Sequence, residues 1–534
     1  MKKIIYLMFC MLLTNVVWSQ DLYVGATGVV RIAPTAFVYA GAEVSIIAGG
    51  DVTIDSNADN SASFLVPNTS PGVAIGDITY KRYIEDNNWH LVSAPVTSQN
   101  IPSFVGVAGN AVAESTTTEN YAVSYYKNTN TAGNRWTYHN ADPDSEKENQ
   151  ETLTNFNTGQ GYSMKKTAAA GAGDYTFTGE MENADVSVTI PKLPNTQSQI
   201  ALWGPHLWSA IGNPFPSFLP VNNAADTANL LVDNLAALDT SFAFLYVWNG
   251  TSYEAIGLTD AALQLAPGQA FMVRAKTDGQ TFIFKKTLQN HNSGVATFYR
   301  PSTATPTISI HLTKGTSSKS TNLEFLDSST AGLDVGYDAG AYQDGTPSFS
   351  INTHLVSDSQ GIDFTRQSLP TSFLESEVAI PLSINAGINE EVTFSVDTNN
   401  LPDGVSVYLE DTLNNTFTNL TDAPLALKIT TALSGIGRFY LRTSSGVLST
   451  EDSLVGALIN LYKTSNGTVK ITGLTSGSAA SFSLFTILGK EVLATKFIAQ
   501  NVQEISLPPS LSTGVYIVGV VSDLGTFHKK IVIE

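Results

Sequence analysis

The 534-residue sequence predicts an all-β, multi-domain chain, built mainly of β-sandwich modules with a β-helix-like or layered strand region near its start. Three observations carry this expectation. Short runs rich in Val, Ile, Thr, Tyr and Phe alternate with period two between clusters of Gly, Asn, Asp and Ser, the pattern of half-buried strands joined by turns. No sustained 3.6-residue apolar period competes with it, and Ala224–Asp239 is the best stretch for a single short helix. A set of aromatic and glycine landmarks also occurs twice in the same order, which points to a repeated module. The length suits about three or four domains.

The N-terminus reads as an export signal over residues 1–19. Lys2 and Lys3 precede an apolar run from Ile4 to Leu13, and Val17-Trp18-Ser19 places a small residue ahead of a cut between Ser19 and Gln20. About ten apolar residues are too few for a bilayer that needs roughly twenty, so no transmembrane segment is expected here or later in the chain. Cys10, the one cysteine, lies inside this signal with Phe9 before it, outside any lipobox. The processed chain is then thiol-free, which excludes disulfides, cysteine-ligated metals and thiol catalysis.

Residues 20–76 form a region of stacked short strands. Val29-Val30-Arg31-Ile32, Phe37-Val38-Tyr39, Val44-Ser45-Ile46-Ile47 and Val52-Thr53-Ile54 recur at short intervals between Gly-containing turns. Rungs this short must stack to bury a face, and an ordinary meander is the alternative.

The duplication fills residues 77–192 and 193–300. Trp89-His90-Leu91-Val92-Ser93-Ala94-Pro95 answers Trp208-Ser209-Ala210-Ile211-Gly212-Asn213-Pro214. Tyr125-Tyr126-Lys127-Asn128 answers Tyr246-Val247-Trp248-Asn249, and Gly133-Asn134-Arg135-Trp136 answers Gly250-Thr251-Ser252-Tyr253. Gly159-Gln160-Gly161-Tyr162 answers Gly268-Gln269-Ala270-Phe271. Each Gly-Gln pair is expected to end a turn where glycine tolerates positive φ and to launch a core strand. The copies resemble paired modules common in secreted Bacteroidetes proteins.

A further β-sandwich is expected over 301–445, where Ile308-Ser309-Ile310-His311-Leu312 and Val392-Thr393-Phe394-Ser395-Val396 alternate with period two. Polar residues 446–453 read as a linker. From 454 to 534 short strands follow one another through Leu488-Gly489-Lys490-Glu491-Val492, Leu511-Ser512-Thr513-Gly514-Val515-Tyr516-Ile517-Val518 and the closing Lys529-Lys530-Ile531-Val532-Ile533-Glu534. Together these closely resemble the type A C-terminal sorting domain of the Bacteroidetes type IX secretion system. Leu461-Tyr462-Lys463-Thr464 stands where many members carry Tyr-Pro-Asn-Pro. The resemblance implies a small β-sandwich, recognition by the type IX machinery, and passage through the periplasm to the cell surface or medium.

Lys and Arg number 28 against 47 Asp and Glu, a formal charge of −19 that grows more negative once the leader is removed. That argues against nucleic acid and anionic membranes as partners. No histidine is followed by glutamate as an HExxH zinc site requires, and neither a GxSxG elbow nor a Walker loop is present. The expectation is therefore a non-enzymatic binding or adhesion protein. A carbohydrate-binding component of polysaccharide capture and a secreted hydrolase of another type are the alternatives.

No resident cofactor is implied, but two acidic loops could gather calcium oxygens: Asp142, Asp144 and Glu146 in one, Asp334 and Asp338 in the other. Neither keeps the EF-hand order. Trp89 and Trp208 recur and read as core anchors, whereas Trp203 and Trp248 do not recur in this alignment, with Lys127 opposite Trp248. A flat indole outside the repeated scaffold suits stacking on a sugar face, with glycans or other surface proteins as the partners.

Overall fold

The computed structural model describes residues 22–40, 44–66, 76–131, 133–192, 207–292, 305–343, 347–374, 376, 378–444, 460–463, 467–486, 490–500, 502–508, 511, 514–523 and 525–533. It is nearly all β, with 49% of residues in strands and 6% in helices. The chain divides into two compact units, Met1–Pro301 and Ser302–Glu534.

The first unit begins with short parallel ladders. Leu22–Val24 pairs with Val44–Ile46, Val29–Ile32 with Asp51–Ile54, and Phe37–Tyr39 with Ser63–Leu65. Each strand thus pairs with the one three places later. This is the connectivity of stacked coils; a meander would have paired consecutive strands antiparallel. Alternation turns Val24, Ile32, Val44, Ile46, Val52 and Ile54 into a shared core. Asp51–Ile54 also pairs in parallel with Ile78–Ile84, so one face of the coils runs directly into the next part of the unit.

Two sheets follow with the same order of strands. In the first, Trp89–Val92, Tyr162–Lys165, Val123–Tyr126 and Trp136–His139 lie side by side, with Gln150–Glu151 beyond. In the second the order is Trp208–Gly212, Ala270–Arg274, Leu245–Trp248 and Tyr253–Ile256. Registers match as well: Trp89 faces Lys165 and Val92 faces Tyr162, while Trp208 faces Arg274 and Ile211 faces Phe271. Each sheet has a companion ribbon, Ile78–Ile84 with Gly173–Gly179 and Val186–Ile190 with Gln280–Phe284. Val186–Ile190 therefore pairs forward, across the sequence boundary expected after residue 192. Gly159 and Gly268 adopt φ of 76° and 67°, and both following glutamines close a turn through their N–H groups.

The two sheets meet edge to edge in a reciprocal way. Val92 bridges Gln269 while Ile211 bridges Gln160, and Ser93 N–H donates to Gly268 O as Gly212 N–H donates to Gly159 O, each at 2.9 Å. The contact has the self-complementarity of a two-fold interface inside one chain. It also covers the otherwise open edges of both Trp strands.

Among the described residues helix is confined to short pieces. Leu230–Asn234 is an α-helix capped by Asn229, whose Oδ1 accepts from Val232 N–H, and Leu235–Ala237 continues as a 3₁₀ turn. The helix expected over Ala224–Asp239 is thus cut to its middle, because Asn229 terminates it on the N-terminal side. A second helix, Ile101–Gly106, was hidden by its brevity; Asn100 caps it through Ser103 N–H at 2.9 Å.

The second unit carries an eleven-stranded sheet. Its core is drawn from alternating positions such as Ile308, Ile310, Leu312, Val392, Phe394, Phe439 and Leu441. Two smaller sheets follow from residue 460. One has three strands (Asn460–Lys463, Thr468–Thr472, Val502–Ser506); the other has four (Ala479–Thr486, Glu491–Ile498, Gly514–Ser522, Gly525–Ile533). They enclose their own core, including Leu461, Val469, Phe482, Leu484, Val518 and Val520.

Candidate ligand cleft

A cleft of about 850 Å³ opens in the first unit where the coils and both sheets converge. Strand alternation explains its most unusual wall residue. In Ile78–Ile84 the even positions Ile78, Tyr80 and Ile84 turn inward and are buried, and Arg82 shares that face. Arg82 lines the cleft, and its Nε is closed off from solvent with no acceptor among the described residues. Burial pulls the Arg82 pKa down, with Tyr80 and Glu85 acting in the opposite direction.

Aromatic rings line the cleft as well. Phe37 is 44% exposed and stacks on His291, with ring centroids 4.3 Å apart. Burial lowers the His291 pKa, and its Nδ1 lies 3.2 Å from Ser63 Oγ. Trp248 comes from the second sheet. It is half-buried, donates from Nε1 to Trp89 O at 3.0 Å and packs on Tyr253. His90 contributes a ring held 2.8 Å from Asp86. Asn292 adds a buried Oδ1 without a partner among the described residues, and the exposed Asp59 and Glu85 also belong to the lining. The result combines apolar rings with unspent polar atoms, the mixture a selective small-ligand site requires.

Ladder register revises the alignment at Trp248. Trp136 faces Tyr126 and Tyr253 faces Trp248, so the counterpart of Trp248 is Tyr126, not Lys127. The loop after Tyr126 is longer than the one after Trp248, and matching by turn residues slipped the strands by one. Trp248 is accordingly one of a recurring aromatic pair, and its interest lies in its place on the cleft. Trp208 is buried at 2% exposure as a core anchor should be, but Trp89 is only half-buried, with Lys165 Nζ lying 5.9 Å over its ring. Trp203, Ser19 and Gln20 lie outside the described residues.

Each acidic loop holds at least one of its carboxylates in internal hydrogen bonds. Asp144 Oδ1 accepts from Glu146 N–H, its Oδ2 lies 3.5 Å from Lys147 Nζ, and Asp142 N–H donates to Asn140 Oδ1. Asp334 accepts from Thr330, and Asp338 accepts from Asp334 N–H and Ser368 N–H, each at 2.6 Å. Among the described residues no group of three or more His, Cys, Asp or Glu is arranged to hold a metal ion.

Asp338 is fully enclosed, and burial raises its pKa from 3.8 to about 7 against the pull of its two N–H donors and Arg366. A carboxyl raised on folding takes up a proton, so its contribution is complete at low pH and is lost as pH climbs through about 7. Asp338→Asn is therefore expected to gain stability relative to the wild-type chain as pH rises from about 4 to about 7. Thermal melts across that range check the sign.

The second unit brings together residues that sequence spacing did not flag. His354 Nε2 lies 2.8 Å from Asp363 Oδ1, and Ser359 Oγ lies 3.4 Å from His354 Nδ1, beside an opening of about 370 Å³. Burial by itself would raise the Asp363 pKa, but hydrogen bonds from His354, Ser383 and Gln343 hold it below its usual range. The residue types match a hydrolase relay. The serine contact, at 3.4 Å, is longer than the 2.6–3.2 Å of a formed nucleophile–base bond, while the His354–Asp363 contact lies within that range.

Comparison with known families divides the chain into a long body and a C-terminal tail. Residues 464–534 match the family described as a secretion system C-terminal sorting domain, which identifies a type IX secretion substrate exported to the cell surface or extracellular space. Among the described residues no helix is long and apolar enough to cross a membrane. No curated protein matches the chain. Residues 10–442 match a second family across both compact units, and the chain belongs to that family, described as Domain of unknown function (DUF8693).

Proposed function

We propose that this exported protein is a non-enzymatic binding protein that captures carbohydrate at the cell surface or in the surrounding medium. The observation that carries the reading is Trp248, a half-buried indole on the wall of a largely polar cleft, facing the same space as the Phe37–His291 stack. Sugars present hydroxyls along their edges and C–H groups on their faces, so they need both kinds of wall. A cleft of about 850 Å³ is within the usual range for small-ligand sites.

Glycan-array binding by the full processed chain tests this. Trp248→Ala is expected to weaken binding at least tenfold, on the order of 1.4 kcal/mol or more, as loss of a central aromatic anchor does. Trp248→Phe retains a ring and should recover part of that loss, separating stacking from general disruption. A chain that bound no glycan yet adhered to protein-coated surfaces would support adhesion through protein contacts instead.

A further inference from the structure

We propose that Arg82 makes the cleft selective for acidic sugars, its guanidinium pairing with the carboxylate of a uronic acid residue. The inference rests on the carbohydrate reading and deepens it. Arg82 occupies an inward position in a strand whose other inward residues are Ile78, Tyr80 and Ile84. A guanidinium whose Nε is shut off from water without an acceptor is costly at such a position, because the desolvation of that N–H is not repaid. Asp55, which pairs with Arg31 at 2.6 Å and Lys81 at 3.6 Å, serves the outward-facing cations of these strands. Arg82 Nε has no such acceptor among the described residues.

The missing partner must reach the cleft from outside, accept from a planar fork and carry negative charge. A carboxylate does all three and pairs with arginine through two parallel hydrogen bonds. Asn292 Oδ1, also enclosed and unpartnered, requires a donor, which a sugar hydroxyl supplies. Trp248 and Phe37 offer surfaces for the C–H face of the ring. A uronic acid unites carboxylate, hydroxyls and apolar face in one residue; a bare anion satisfies only Arg82. Asp59 and Glu85 are exposed, so salt and solvent screen their repulsion more than they weaken a pair inside the cleft.

The test titrates the full processed chain with trimers of galacturonic, mannuronic and glucuronic acid, each as free acid and as neutral methyl ester. At least one acid is expected to bind tenfold or more tightly than its own ester, and Arg82→Gln to bring that ratio down to about one. Arg82→Lys keeps the charge without the fork and should recover only part of the preference. Equal binding of every acid and ester overturns this inference and leaves the carbohydrate reading standing, whereas absence of binding to any glycan, acidic or neutral, removes both. Competition by sulfate or inorganic phosphate as strong as that of the best trimer overturns it in favour of a simple anion site. If Arg82→Gln fails to fold, the acid-to-ester ratio of the wild-type chain still decides.

Discussion

Cells expressing the chain without residues 454–534 are expected to accumulate it in the periplasm, while the full-length protein reaches the surface or medium. The sorting region encloses its own core of Leu461, Val469, Ile471, Phe482, Leu484, Val518 and Val520, so it presents a folded surface to the secretion machinery. Yet it is not wholly separate from the body before it. Tyr440, buried at 1% exposure, has its hydroxyl 3.0 Å from Thr472 Oγ1, and both compact parts fall in the unit Ser302–Glu534. Removing the tail uncovers Tyr440 and deletes that hydrogen bond, which costs about 1 kcal/mol before any loss of apolar burial. The truncated chain should therefore melt as a folded protein with its second unit somewhat weakened and its first unit unchanged. Fractionation decides the export claim, and truncated protein outside the cell at the full-length level would refute it.

What could be read from residues alone follows from how local each signal is. The tail was legible because its turn and strand motifs are contiguous in sequence. The repeated order Trp, Tyr, Trp or Tyr, Gly-Gln was legible for a related reason: each landmark holds a fixed place in one sheet, and the two sheets share strand order and register. The off-by-one match at Trp248 came from loops of unequal length, which leave the strands intact but shift their apparent spacing. Strand alternation in 78–84 already contained Arg82 in an inward slot. A single charge that breaks an apolar period forms no residue cluster, so no motif marks it. The acidic loops misled in the opposite sense. Counting carboxylates could not reveal that Asp334 and Asp338 are occupied by backbone N–H groups, nor that the Asp363 carboxylate would meet His354 nine residues earlier in the chain.

Gly212→Ala is expected to destabilise the first unit by about 3 kcal/mol, lowering its unfolding midpoint by roughly 5–10 °C. A Cβ added there would lie 2.6 Å from Ser93 Cβ, 2.8 Å from Ala270 Cβ and 2.9 Å from Ala270 Cα. None of these is the free end of a flexible side chain, so relief requires the backbones to part. The backbones concerned are those of the reciprocal junction, where Gly212 N–H bonds Gly159 O and Ser93 N–H bonds Gly268 O. Separating them also shifts Gln269 and Ala270, which line the cleft together with Leu91 and Val92. Ligand affinity should consequently fall in the same variant even where most of the protein remains folded. Gly106→Ala provides the control: a Cβ at that helix position meets nothing within 4 Å, and alanine favours the helix, so its midpoint should hold or rise slightly. Calorimetry of both variants checks the contrast. An unchanged midpoint for Gly212→Ala would mean that the two sheets are not held in register by close backbone approach, and that the cleft between them owes its shape to other contacts.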